Sequence, residues 1–172
     1  MSEKIAEIKA KLEGADRNRR KELLDFYCQD ERSGVQKLVA KFKKEEEKLQ
    51  AELARLEVMK QFEREYGHLG YVCGIDEAGR GPLAGPVVAG AVILPAECDI
   101  LYLNDSKQLS EKKREMLYDE IMEKAVAVGV GVVSPAVIDE INILQADYEA
   151  MRIALSQLSV EPSVLLNDAV TI

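Results

Sequence analysis

Two adjacent acids, Asp76 and Glu77, run straight into a glycine-rich stretch holding one arginine: Gly74 to Pro86 reads GIDEAGRGPLAGP. Paired carboxylates offer hard oxygen donors, the kind that divalent cations such as Mg²⁺ or Mn²⁺ take. Successive side chains on a strand point to opposite faces, so both acids serve one site only where a strand is ending. Gly79 and Gly81 allow torsions that other residues resist and let a ligand come close to the main chain. A Walker-type phosphate cradle is excluded, because no Lys-Ser/Thr pair follows the second glycine. The dinucleotide fingerprint fails too, since Gly79, Gly81 and Gly85 are spaced one residue too widely. An isolated acid pair before a turn would read as two solvated side chains; the whole string does not.

At this string the chain resembles the type 2 ribonuclease H family, ribonuclease HII. The resemblance rests on Gly74 through Pro86, on Leu103-Asn104-Asp105-Ser106-Lys107 before Leu109-Ser110, on Asp139 through Asn142, on Ile143-Leu144-Gln145-Ala146, and on Asn167-Asp168. It covers about residues 70–172. It implies a ribonuclease H-like mixed sheet flanked by helices. It also implies an endonuclease that hydrolyses the RNA strand of RNA–DNA hybrids and nicks duplex DNA 5′ to single ribonucleotides, leaving a 3′-hydroxyl and a 5′-phosphate. Asp76, Glu77 and Asp168 match the family's catalytic, metal-binding acids, with Mn²⁺ or Mg²⁺ as cofactor. Gly79, Arg80 and Gly81 match the turn that reads the ribose 2′-hydroxyl, largely through backbone groups, and that hydroxyl is what separates RNA from DNA. Ser106 and Lys107 match a substrate-binding stretch in which the lysine meets a phosphate, with Asp105 as a buttress of the loop.

The chemistry agrees with that resemblance. Phosphodiester hydrolysis needs an activated water and a stabilised departing alkoxide, and two divalent cations about 4 Å apart supply both. The expected partners are an RNA–DNA hybrid and ribonucleotide-containing duplex DNA. The chain stops at Ile172, just past the third acid, whereas the family continues into a further strand and helices with a fourth acid. The expectation is therefore a C-terminally truncated chain of doubtful activity, self-associating through an apolar sheet edge around Val164, Leu165, Leu166, Val170 and Ile172. The alternative is an inactive fragment that only binds metal and hybrid, or an N-terminal segment serving chiefly for docking.

The elements that must position these residues follow from periodicity. Ile5, Ile8 and Leu12 recur at helical spacing, and Leu23, Leu24, Phe26 and Tyr27 mark a second short run, with Arg17, Arg19, Arg20 and Lys21 between them. Ser33 and Gln36 have capping-box spacing, and Leu38 through Tyr66 predicts one long amphipathic helix. This segment reads as a helical bundle or arm. A sharper reading makes it a basic appendage touching nucleic acid through Arg17, Arg19, Arg20, Lys41, Lys43 and Lys44. Gly67 and Gly70 punctuate the chain, dividing it into a helical extension, residues 1–69, and a catalytic domain, residues 70–172. Beyond them Tyr71–Ile75, Pro86–Leu94, Ala125–Val133 and Val164–Leu166 read as strands. Helices are expected from Ser110 to Lys124 and from Pro135 to Leu158, the latter broken near Asn142. Interleaved strands and helices make an α/β layered domain.

Composition excludes other classes. The 172 residues are 47% hydrophobic and 31% charged, ordinary for a globular chain and incompatible with wholesale disorder. No apolar run is long enough to span a bilayer, and the charged start is unlike a secretory signal. Three scattered cysteines, Cys28, Cys73 and Cys98, read as reduced thiols of a cytoplasmic protein, and one histidine argues against a His-ligated metal. Residues 1–66 carry 16 Lys/Arg against 15 Asp/Glu, and residues 67–172 carry 7 against 16. An acidic second segment is a poor footprint for nucleic acid but suits a site that needs hard cations, which neutralise it before a phosphate backbone arrives.

Overall fold

The structure is a computed structural model that describes residues 3–82 and 84–167. The chain divides into two compact units, Met1–Arg55 and Leu56–Ile172. The first is helical, built from α1 (Ile5–Gly14), α2 (Arg17–Tyr27) and most of α3 (Ser33–Met59). Ile8 and Leu12, one helical turn apart, bury fully with Leu24, Tyr27, Val35, Val39 and Phe42. The basic cluster does not lie between two helices; it opens α2, where Asp16 caps the helix by accepting from the Arg19 N–H at 2.9 Å. Arg17 pairs with Glu46 at 2.8 Å and Arg19 with Glu22 at 2.6 Å, while Arg20 donates to the carbonyls of Leu12 and Ala15. Charge so compensated inside the unit weighs against a nucleic-acid surface built on these arginines.

The capping box at Ser33 does not form. The N–H groups of Val35 and Gln36 bond to the Arg32 carbonyl, and the Gln36 amide donates instead to the carbonyls of Cys28 and Asp30. The long helix is also two: at Lys60 the backbone leaves helical torsions (φ −78, ψ 10) and α4 (Gln61–Tyr66) follows. The Lys60 ammonium pairs there with Asp99.

The second unit holds a mixed four-stranded sheet: β1 (Val72–Ala78), β2 (Val87–Ile93), β3 (Ala127–Val133) and β4 (Val164–Leu166), in the order β3-β2-β1-β4. β2 is antiparallel to β1 and β3, and β4 runs parallel to β1 with Gly74 opposite Leu166. Besides α4 the unit holds α5 (Glu111–Lys124), α6 (Pro135–Ile141) and α7 (Ile143–Ser156). Ser134 caps α6, with Pro135 at its first position. Ser110 takes the cap position of α5 without a side-chain bond. Asn142 adopts φ 68 and accepts from the N–H groups of Leu144 and Gln145, which breaks the helical run and starts α7.

One sheet face packs on α7. Cys73 and Ile75 of β1, the alternate residues Val87 to Ile93 of β2, and Ala127 and Val133 of β3 bury against Ala146, Ala150, Met151 and Ala154. The four-residue spacing of those alanines leaves a smooth stripe, and Gly129 and Gly131 of β3 leave the matching groove. A Cβ on Gly131 would run into the carbonyl of Ala150, and one on Gly129 into that of Ala154. The helix therefore lies backbone-close on the sheet. β4 is an edge strand with Leu165 40% exposed; Asp168, Val170 and Ile172 lie outside the described residues. Among the described residues no helix is long and apolar enough to cross a membrane.

Candidate active site

Strand alternation sorts the two acids. Ile75 faces α7 and is buried, so Asp76 lies on the opposite face with Gly74, beside a cavity lined also by Gly90, Val92 and Leu166. Glu77 turns back toward α7 and is mostly covered, its side chain 17% exposed. β1 continues through Ala78, so the two acids diverge, and of this pair Asp76 lines that cavity while Glu77 does not. Its Oδ1 accepts from the Glu77 N–H at 2.9 Å.

The glycine-rich turn follows at once. Gly79 has φ +93, and a Cβ there would strike the carbonyl of Pro86, where the chain returns into β2. Glycine is thus required twice over, by torsion and by contact. Among the described residues a Cβ on Gly81 would meet nothing within 4 Å, which leaves that side of the turn open to a ligand. Between the two glycines the Arg80 guanidinium stands 3.5 Å from Glu77 and 3.5 Å from Asp147.

Asp147 is the residue that motif reading passes over. It is fully buried on α7, and among the described residues neither carboxylate oxygen has a hydrogen-bond partner. Burial raises its pKa above the usual carboxylate value, the Glu77 charge pushes the same way, and Arg80 opposes both. One signal was present in the sequence: Asp147 falls inside the apolar stripe of α7, one residue after Ala146 and three before Ala150. An acid on a helix face otherwise given to alanine and methionine is out of place.

Ser106 and Lys107 sit apart on a short 3₁₀ turn, Ser106–Gln108. Asp105 caps it by accepting from the Lys107 N–H at 2.9 Å, the buttress expected of it. Arg114 reinforces the loop by donating to the carbonyls of Leu109, at 2.7 Å, and Ser106. Among the described residues, neither Ser106 nor Lys107 bonds to Asp76, Glu77 or Arg80. Asp168 lies outside those residues.

All the candidate donors are carboxylate oxygens, which suits a hard divalent cation. Asp76 and Glu77 alone do not complete a site: among the described residues no group of three or more His, Cys, Asp or Glu could hold a metal ion.

The family model described as Ribonuclease HII N-terminal domain matches residues 4–67, and that described as Ribonuclease HII matches residues 73–172. A Ribonuclease HII of Lachnoclostridium phytofermentans is 59% identical over 172 residues, covering 100% of this chain and 68% of its own. A Ribonuclease HII of Bacillus cytotoxicus is 54% identical over 151 residues, 86% of this chain and 58% of its own. This chain is thus clearly shorter than either relative. A solved ribonuclease H2 from Pyrococcus horikoshii OT3 is 32% identical, covering 55% of this chain and 48% of that one with a TM-score of 0.45.

Proposed function

The chain belongs to the ribonuclease HII family, and from that premise we propose that it hydrolyses the RNA strand of RNA–DNA hybrids and nicks duplex DNA 5′ to single embedded ribonucleotides. One observation carries the reading: in a chain of this family, Asp76 and Glu77 lie near the end of β1, which runs directly into the Gly79–Arg80–Gly81 turn. In this reading residues 70–172 are the catalytic domain and residues 1–69 its helical extension. The free cysteines support a cytoplasmic setting.

Asp76, Glu77 and Asp168 are the carboxylates that hold Mg²⁺ or Mn²⁺. Asp168 follows Leu166 by two residues, as Asp76 follows Gly74, the register partner of Leu166. When bound, the cations supply an activated water and neutralise charge on the departing alkoxide. The protein's own work is placement. Asp76 lies on the open face, where a phosphodiester can reach it, while Glu77 is fixed at the border of the core. The open backbone at Gly81 accepts the edge of a ribose, and the turn at Gly79, at φ +93, aims it. Ser106 and Lys107, on their capped turn, bind the flanking phosphate. The exposed β4 edge supports self-association of this chain.

The test is a nicking assay with Mn²⁺ or Mg²⁺ on a duplex carrying one ribonucleotide, beside the same duplex in DNA alone. The expected product is a single cut 5′ to the ribonucleotide, with a 3′-hydroxyl and a 5′-phosphate. Selective binding without a cut would favour the metal- and hybrid-binding module. Equal treatment of both duplexes would overturn the ribonucleotide reading altogether.

A further inference from the structure

One buried charged group is left unused by the proposed chemistry. Asp147 is a fully buried carboxylate without a hydrogen-bond partner among the described residues, on a helix face whose neighbouring positions are Ala146, Ala150, Met151 and Ala154. A position serving only to pack would be apolar, because burying a charge without a partner is costly. The cation beside it is Arg80, 3.5 Å away and itself 40% exposed on the turn. We propose that Asp147 is a positioning residue for ribose recognition, its buried carboxylate tethering Arg80 and so holding the backbone of Gly79 and Gly81 in the conformation that meets a 2′-hydroxyl.

The tether runs through rigid parts. Gly129 and Gly131 let α7 rest backbone-close on β3, which fixes how far Asp147 stands from the sheet. Asn142 starts α7 by accepting two backbone N–H groups, which fixes its near end. Glu77 holds the same guanidinium from β1 at 3.5 Å, so Arg80 is gripped from the helix layer and from the sheet together. The segment that must discriminate one hydroxyl is otherwise a surface turn, and preorganisation of such a segment is what gives discrimination. The inference rests on the ribose-reading role proposed above for Gly79–Gly81.

Two measurements on the full chain decide it. The first is binding of a duplex with one ribonucleotide against the all-DNA duplex, for wild type and Asp147→Asn, which keeps shape and removes the charge. The expected result is a roughly tenfold loss of the preference, about 1.4 kcal/mol, with affinity for the DNA duplex unchanged. A merely structural role would weaken both duplexes alike, and an unchanged preference would overturn the proposal. The second is a thermal double-mutant cycle combining Asp147→Asn with Arg80→Gln. Removing Arg80 should lower the melting temperature when Asp147 is present and change it little in the Asp147→Asn background; additive shifts would sink the tether. If wild type shows no ribonucleotide preference, the ribose reading fails, while the cycle still reports on the pair.

Discussion

The carbonyl oxygen of Ala150 occupies the space that a Cβ on Gly131 would need. The same holds one turn on, between Ala154 and Gly129, so α7 and β3 meet through backbone atoms over two successive contacts. Everything that α7 delivers to the site depends on this approach. Gly131→Ala cannot be absorbed by a flexible side chain, because the obstacle is main chain. It should destabilise the sheet unit by about 1–3 kcal/mol, the usual cost of overpacking. Gly90→Ala, where a Cβ meets nothing within 4 Å among the described residues, is the control and should cost far less. Chemical denaturation of both variants checks this; equal midpoints would mean that α7 is free to move away.

Asp76→Asn keeps the shape of the side chain and removes its charge on the open face of β1. Cleavage of a ribonucleotide-containing duplex should fall by at least about a hundredfold, as for loss of a metal-holding carboxylate, while duplex binding stays measurable. Single-turnover cleavage and anisotropy on the same preparation separate the two. Near-normal cutting would remove Asp76 from the chemistry.

Gly79→Val and Gly81→Val should both abolish ribonucleotide-dependent cutting, yet for different reasons. At Gly79 the substitution fights φ +93 and the Pro86 carbonyl, so melting temperature should fall as well. At Gly81 the free space accepts a side chain, so the fold should be undisturbed while the new side chain stands where the sugar must approach. If the Gly81 variant still nicks only at ribonucleotides, the 2′-hydroxyl is read elsewhere.

The turn between α2 and α3 carries a pH signature. Hydrogen bonds from the Arg32 side chain and N–H hold the Asp30 carboxyl at about 2, below its ordinary 3.8. A depressed folded-state pKa contributes stability that is complete above the ordinary value and disappears as pH falls through about 2. Acid titration of helicity should therefore show a loss in that window that Asp30→Asn reduces. An identical acid limb in the variant would show that the pair adds nothing to the helical unit.

Much of this architecture could be read locally. The Ser134-Pro135 start, the break at Asn142 and the valine-rich strands each depend on neighbours within a few residues, and the structure repeats them. The Gly74–Pro86 string likewise announced its acids and its turn, because a strand end followed by glycines is a local event. Other features depended on residues far apart in sequence. Arg20 looked like part of a basic patch until Leu12 and Ala15 supplied carbonyls for it. Ser33 kept its capping-box spacing, but Gln36 found better partners in the preceding turn. Asp147 was one acid among many until α7 closed on β3 and placed it 3.5 Å from Arg80, 67 residues earlier in the sequence. Periodicity says that a helix has an apolar face; only packing says which charge that face must bury, because the burial and the partner are both properties of the assembled layers.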